Sequence, residues 1–99
     1  MQPDLKALIL HEIQKNSDIS QRKLAQKFQI SLGKINFILK ELSQKGYIKV
    51  QKFAKSDNKL KYRYILTPAG MKEKIRITKE FIIKKMKEYE ELVKEVEEE

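Results

Sequence analysis

The sequence predicts a mainly α-helical protein with one small β-hairpin, ending in a long helix. Three observations predict it. Apolar residues recur three times at helical spacing before residue 46, the period then changes from 3.6 to 2, and a Thr-Pro pair opens a last helical stretch. The 99 residues suit one hydrophobic core and leave no room for a second.

The first helix is predicted to begin at Pro3 and to end near Asn16. Proline is favoured in a first helical turn, and Asp4 beside it complements the positive end of the helix dipole. Its apolar side consists of Leu5, Leu8, Ile9 and Ile13.

The second and third helices are predicted to begin after Ser20 and Ser31, which are both good N-cap residues. Only a short turn, Gln29 and Ile30, separates them, and Gly46 stops the third helix. The predicted apolar residues are Leu24, Ala25 and Phe28 in the second helix, and Leu32, Ile35, Ile38, Leu39 and Leu42 in the third.

Two strands follow, at residues 47–51 and 60–66, with a polar loop at 54–59 between them. Thr67 and Pro68 then cap and open the last helix. Two helices joined by a tight turn, followed at once by a basic hairpin, are typical of a winged helix-turn-helix. We expect residues 1–68 to form this DNA-binding domain and residues 69–99 a C-terminal dimerisation helix with an acidic end.

The charge is unevenly distributed along the chain. Residues 1–87 hold 21 Lys and Arg against seven Asp and Glu, whereas residues 88–99 hold seven Glu and one Lys. A strongly basic body attracts polyanions, and nucleic acid is the usual one, although charge can also serve solubility alone.

The outer side of the third helix, at about residues 31–45, is the predicted reading surface in the major groove. Gly33 costs about 1 kcal/mol in a helix but permits close approach to phosphate. Asn36 suits adenine, Lys34 and Lys40 suit phosphate or guanine, and Phe37 suits thymine methyl groups. Phe37 could instead pack on the hairpin or on the last helix.

Phosphate contacts are predicted at the start of the second helix and in the wing, at about residues 52–61, on the backbone or in the minor groove. The polar start of that helix could also be an ordinary solvated turn. The complete predicted DNA-binding set is Gln21, Arg22, Ser31, Gly33, Lys34, Asn36, Phe37, Lys40, Lys52, Lys55, Asn58, Lys59 and Lys61.

The last helix has an apolar stripe at coiled-coil spacing, interrupted at Lys85. A helix of about 30 residues cannot bury this whole stripe on so small a body, so we expect a homodimer. The alternative is a helix that folds back on its own domain. The predicted interface residues are Ile75, Ile82, Met86, Tyr89, Leu92, Val93 and Val96.

Several classes of protein are not expected. There is no cysteine, His11 is the only histidine, and no arrangement of nucleophile and base is evident, so we expect no enzyme, no metal site and no cofactor. The longest apolar runs are three or four residues, which excludes a membrane helix, and no signal-peptide core precedes Lys6. The expected location is cytoplasmic.

Five segments resemble MarR-like winged helix-turn-helix regulators: ISQRKLA at 19–25, ISLGKIN at 30–36, LKEL at 39–42, KGYI at 45–48 and LTPAG at 66–70. The second is most similar to the exopolysaccharide (EPS)-associated subgroup. The resemblance implies a bacterial or archaeal transcription regulator that binds operator DNA as a homodimer. Typical members dimerise through both N-terminal and C-terminal helices, with a small-molecule pocket between the dimer interface and the DNA-binding lobe. Here the N-terminal segment is one helix long, which argues against a small-molecule effector. The alternative function is a winged-helix module for protein–protein interaction.

Overall fold

The computed structural model describes residues 3–54 and 60–99. It confirms the predicted fold class, a winged helix-turn-helix with a long C-terminal helix. The elements are α1 (Pro3–Lys15), α2 (Gln21–Phe28), α3 (Leu32–Gln44), β1 (Ile48–Ala54), β2 (Leu60–Leu66) and α4 (Pro68–Glu98).

Three helices begin at the predicted caps. The side-chain oxygens of Ser20, Ser31 and Thr67 each accept a hydrogen bond from the backbone N–H three residues later, at 3.0–3.1 Å. These bonds satisfy amide groups that a helix start leaves without a partner. Gly46 lies just beyond α3 with a φ of 78°, the left-handed conformation expected of a glycine stop.

One hydrophobic core joins the first three helices to the hairpin. Helix α3 contributes most to it, and β1 and β2 contribute Ile48 and Tyr64. Two predicted core residues are instead exposed, Leu8 at 46% and Leu32 at 45%. Both lie at the edge of an apolar stripe, where helical spacing alone does not fix burial. The core consists of Ile9, Leu10, Ile13, Ile19, Leu24, Ala25, Ile35, Ile38, Leu39, Leu42, Ile48 and Tyr64.

The strands form an antiparallel pair from Ile48 opposite Leu66 to Ala54 opposite Leu60. Strand β1 therefore begins one residue later than predicted and extends through Ala54, which was predicted to lie in the loop. Continued pairing with β2 holds these additional residues in the strand. We call β1, β2 and the residues that connect them the wing.

Ion pairs attach α1 to α2 and α3. Lys27 on α2 lies 2.9 Å from a carboxylate oxygen of Glu12, and Lys6 pairs with Glu41 on α3. The hydrogen bond from Lys27 lowers the pKa of Glu12, so this carboxylate keeps its charge to lower pH than an isolated glutamate. These contacts fix α1 against the body.

Helix α4 has two halves with different surroundings. Its proximal half packs on α1, where Ile77 is buried and Lys74 donates a hydrogen bond to Gln14. From Ile82 onward, every residue of α4 is exposed. The molecule is consequently elongated, at 66 × 27 × 20 Å. No helix in the described ranges is long and apolar enough to cross a membrane.

Candidate nucleic-acid interface

The turn between α2 and α3 fixes the direction in which α3 leaves the body. Gln29 adopts a left-handed conformation with a φ of 54°, and its N–H points back at the last carbonyls of α2. The N–H of Ile30 donates to the carbonyl of Ala25 at 3.1 Å. Because the chain reverses within three residues, α3 crosses α2 closely and turns one side to solvent.

The side of α3 away from the core is open to solvent. Phe37 is 67% exposed, so the alternative that it packs on the hairpin or on the last helix is wrong. A Cβ added at Gly33 would meet nothing within 4 Å. Neither residue is therefore explained by packing within the chain. Exposed beside them are Ser31, Lys34 and Lys40.

Asn36 is held by a chain of hydrogen bonds that crosses the molecule. Its amide nitrogen donates to Oε1 of Gln21 at 3.3 Å, and Nε2 of Gln21 donates to the hydroxyl of Tyr64 at 3.0 Å. Tyr64 is 3% exposed, and burial raises the pKa of its hydroxyl. These two hydrogen bonds orient the Asn36 amide relative to both α2 and the wing.

Gln21 and Tyr64 thus have a positioning role that the sequence did not predict. Gln21 was predicted to contact DNA; its half-buried amide makes one hydrogen bond within the protein at each end and also borders the groove between α3 and the wing. Tyr64 was not predicted to belong to the site, because strand alternation does not show which face of the hairpin meets the body. Both residues position Asn36 within the protein.

An open groove of about 940 Å³ lies between the helix-turn-helix and the wing. Arg22 on α2, Lys40 on α3 and Lys61 on β2 line it, so cations border it on three sides. Asp18 is the acidic residue in the lining, and its carboxylate already pairs with Arg63 at 2.8 Å. The groove therefore offers a positive surface to a polyanion.

The wing divides its cations between two roles. Arg63 is already engaged within the chain, because it pairs with Asp18 and its guanidinium lies 5.0 Å from the centre of the Phe53 ring. Lys52 lies over the Tyr62 ring at 5.9 Å on an exposed part of the strand, and Lys61 is exposed. The predicted wing residues Lys55, Asn58 and Lys59 lie outside the described residues.

A second candidate surface lies on α4. Its predicted interface residues share an exposed stripe, and Ile83 adds to it. Their exposed fractions are 44% for Ile75, 49% for Ile82, 57% for Met86, 66% for Tyr89, 54% for both Leu92 and Val93, and 75% for Val96.

Metal-binding residues are not clustered in this part of the protein. Among residues 3–54 and 60–99, no three His, Cys, Asp or Glu side chains lie close enough together to hold a metal ion. The only histidine of the sequence, His11, is exposed on α1, and its Nδ1 lies 3.3 Å from the ammonium nitrogen of Lys74.

Comparison with known proteins connects this geometry to a family of domains. Residues 4–49 match the family described as winged helix-turn-helix DNA-binding. No curated protein sequence matches the chain.

Three solved structures are similar in fold. The protein smu.1704 from Streptococcus mutans UA159 is 27% identical, with a TM-score of 0.72 over 87% of this chain and 83% of its own. The transcriptional regulator SlyA is 23% identical, with a TM-score of 0.65 over 82% of this chain. A mutant of MepR from S. aureus, bound to an oligodeoxyribonucleotide, is 17% identical, with a TM-score of 0.64 over 90% of this chain.

The chain spans only 56% of the length of SlyA and 62% of that of MepR. Their likeness at these identities concerns the fold. The family match covers α1, α2 and α3. It therefore includes the exposed side of α3 described above. Residues 4–49 are therefore similar to winged helix-turn-helix DNA-binding domains, in agreement with the observed fold.

Proposed function

We propose that this protein is a transcription regulator that binds specific double-stranded DNA as a homodimer, with α3 in the major groove. The observation that supports this most directly is the exposed Phe37 at the centre of the outer surface of α3. A buried aromatic ring stabilises a fold, whereas the exposed apolar area of this ring is available for contact with a partner. The role requires no catalysis and fits a cytoplasmic protein.

Each α3 residue matches a feature of duplex DNA. The major groove presents thymine methyl groups to Phe37, and an adenine presents a donor and an acceptor to the Asn36 amide. Gly33 lets the start of α3 approach the backbone, where Lys34 and Lys40 neutralise phosphates. Base contacts of this kind give sequence preference, and the phosphate contacts fix the position of the helix.

The wing and α2 supply further phosphate contacts. Arg22 lies in the first turn of α2, and Lys52 and Lys61 are exposed on β1 and β2 of the hairpin. A duplex that follows α3 would pass across the groove between these cations. We propose that the wing lies on the backbone or in the minor groove of the same duplex.

Selection of bound fragments from a random DNA pool tests this function. We expect an inverted repeat whose half-sites are about one helical turn apart, because a two-fold dimer imposes its symmetry on the operator. Affinity should fall at least about a thousand-fold between about 50 and 200 mM salt, since several phosphates are neutralised. Weak binding that ignores both sequence and salt would contradict the proposal.

We further propose that the exposed stripe of α4 is the dimer interface and that the protein is a MarR-like repressor of the EPS-associated kind. The stripe supports dimerisation, because apolar side chains at a seven-residue repeat are typical of paired helices. The motif at residues 30–36 supports the subgroup. A repressor would occupy a promoter without needing a contact to the transcription machinery.

A Leu92→Glu chain tests the interface. We expect it to sediment as a monomer, because a charge in the seam must lose its hydration on pairing. Leu92 is 54% exposed in the single chain, so its replacement leaves the fold intact. The matched control is Lys94→Glu on the opposite side of α4, which should remain dimeric. If Leu92→Glu were as dimeric as this control, the stripe would not be the interface.

A further inference from the structure

Charge is segregated along α4. Residues 68–87 hold seven Lys and Arg and two Glu, a net charge of +5, whereas residues 88–99 have a net charge of −6. The helix has 31 residues and is therefore about 46 Å long. Because the two halves of α4 carry opposite charges, the electrostatic energy of a dimer depends on whether two copies of α4 pair in parallel or antiparallel.

The apolar stripe continues from the acidic half into the basic half. Ile75, Ile82, Tyr89 and Val96 follow one another at seven-residue steps. Beside Ile82 the stripe opens into a cleft of about 470 Å³ between α1 and α4, bordered by Leu8 and Phe81. The exposure of Leu8 on this cleft is unexplained within a single chain.

We propose that α4 of a second copy runs antiparallel along this stripe, with residue 75 opposite residue 92 of the other copy. The inference rests on the homodimer proposed above and adds its orientation and register. In this arrangement, the acidic end of each copy lies on the basic half of the other and covers the cleft between α1 and α4. A two-fold axis then passes between residues 83 and 84, so each contact occurs twice.

Charge favours this orientation over the parallel one. A parallel pair places the two basic halves side by side and the two acidic ends side by side, with Lys74 close to Lys79 of the other copy. In the antiparallel pair, Lys74 at the edge of the seam faces Glu95 of the second copy. Within its own chain, the ammonium group of Lys74 contacts the amide of Gln14 and the imidazole of His11, and neither is a carboxylate.

Charge also favours this register over one that is shifted by a heptad towards the C-terminus. A shift of one heptad towards the C-terminus would place Glu88 opposite Glu88 of the other copy, at the edge of the seam. In the proposed register, Glu88 faces the half-buried Phe81, whose ring already lies 5.5 Å from the ammonium of Lys85. Like charges that face each other at the edge of a seam, as the two Glu88 side chains would in the shifted register, oppose pairing.

Disulfide trapping tests the orientation, because the natural chain has no cysteine. A full-length Ile75→Cys chain is mixed with a tagged Leu92→Cys chain under mild oxidation. We expect a mixed disulfide between the two chains as the main product, since residues that face each other in a seam are close enough to bridge. An Ile75→Cys chain mixed with Lys87→Cys, which lies on the opposite side of α4, should give none.

Other products would overturn the proposal in distinguishable ways. Disulfides within pairs of identical chains would show a parallel dimer. A dimer by sedimentation that yields no mixed disulfide would exclude this register, and in both cases the proposed homodimer would stand. A monomer by sedimentation would exclude the homodimer and the orientation together.

Salt gives a second measurement on the unmodified protein. The antiparallel pair should dissociate more readily as salt screens its complementary charges, with a dimer dissociation constant that rises about tenfold between about 50 and 500 mM salt. A dissociation constant that falls with salt would indicate like charges side by side and overturn the orientation.

Discussion

A Gly70→Ala chain is expected to lose about 3 kcal/mol of its free energy of unfolding. A Cβ at this position would lie 2.0 Å from the carbonyl oxygen of Tyr47 and 2.7 Å from a methyl carbon of Leu66. The carbonyl cannot easily withdraw, because it accepts a hydrogen bond from the N–H of Thr67 at 3.1 Å. The steric cost therefore exceeds the gain of about 1 kcal/mol that alanine brings to a helix. Denaturant unfolding followed by circular dichroism measures the loss.

Gly33→Ala is the matched control, since it makes the same change in another helix. Its added Cβ meets nothing within 4 Å, so we expect this chain to be as stable as the natural one or more stable, by up to about 1 kcal/mol. The same chain should bind operator DNA more weakly if the start of α3 lies against the backbone. Equal losses of stability in the two variants would contradict the tight contact at Gly70.

A chain in which Lys34, Asn36 and Lys40 are all replaced by alanine is expected to lose about a thousand-fold in operator affinity. Loss of a paired amide–adenine contact costs about 1–3 kcal/mol, and loss of each phosphate contact reduces the salt dependence by about one unit of slope. None of the three side chains belongs to the buried core, so the unfolding free energy should change little. Titration of labelled operator DNA at several salt concentrations measures both effects.

The matched control replaces Lys84 and Lys87 instead. It also removes two positive charges, but from the side of α4 away from the seam. This chain should keep its sequence preference and lose only a modest share of its affinity. If the triple variant bound operator DNA normally and still regulated, the proposed reading surface would be wrong. The winged helix would then act through protein partners instead.

Local chemistry made most of the fold predictable. Ser20, Ser31 and Thr67 cap helices because a short hydroxyl side chain can accept from the amide three residues later. Gly46 stops α3 because glycine enters the left-handed region at low cost. Such signals depend on a few neighbouring residues, so the sequence alone is sufficient to place them.

Which side of each strand or helix is buried was less predictable, because burial depends on residues that are distant in sequence. The alternation in β2 separates Arg63 from Tyr64 but does not show which side meets the body. In the structure Tyr64 is buried against the body, where its hydroxyl accepts a hydrogen bond from Gln21, and Arg63 on the opposite face of the strand pairs with Asp18. Ile77 was outside the predicted stripe of α4, yet it is the residue that anchors this helix.

The hydrogen bonds that link Tyr64, Gln21 and Asn36 also affect the thermodynamics of recognition. A free asparagine side chain must give up rotational freedom when it contacts a base, which opposes binding. Here the folded protein has already restricted the Asn36 amide, so that entropy is lost during folding and not at the operator. One amide hydrogen and the carbonyl oxygen of Asn36 remain available to a base. The hydrogen bond to Gln21 thus favours one orientation of this side chain before any DNA arrives.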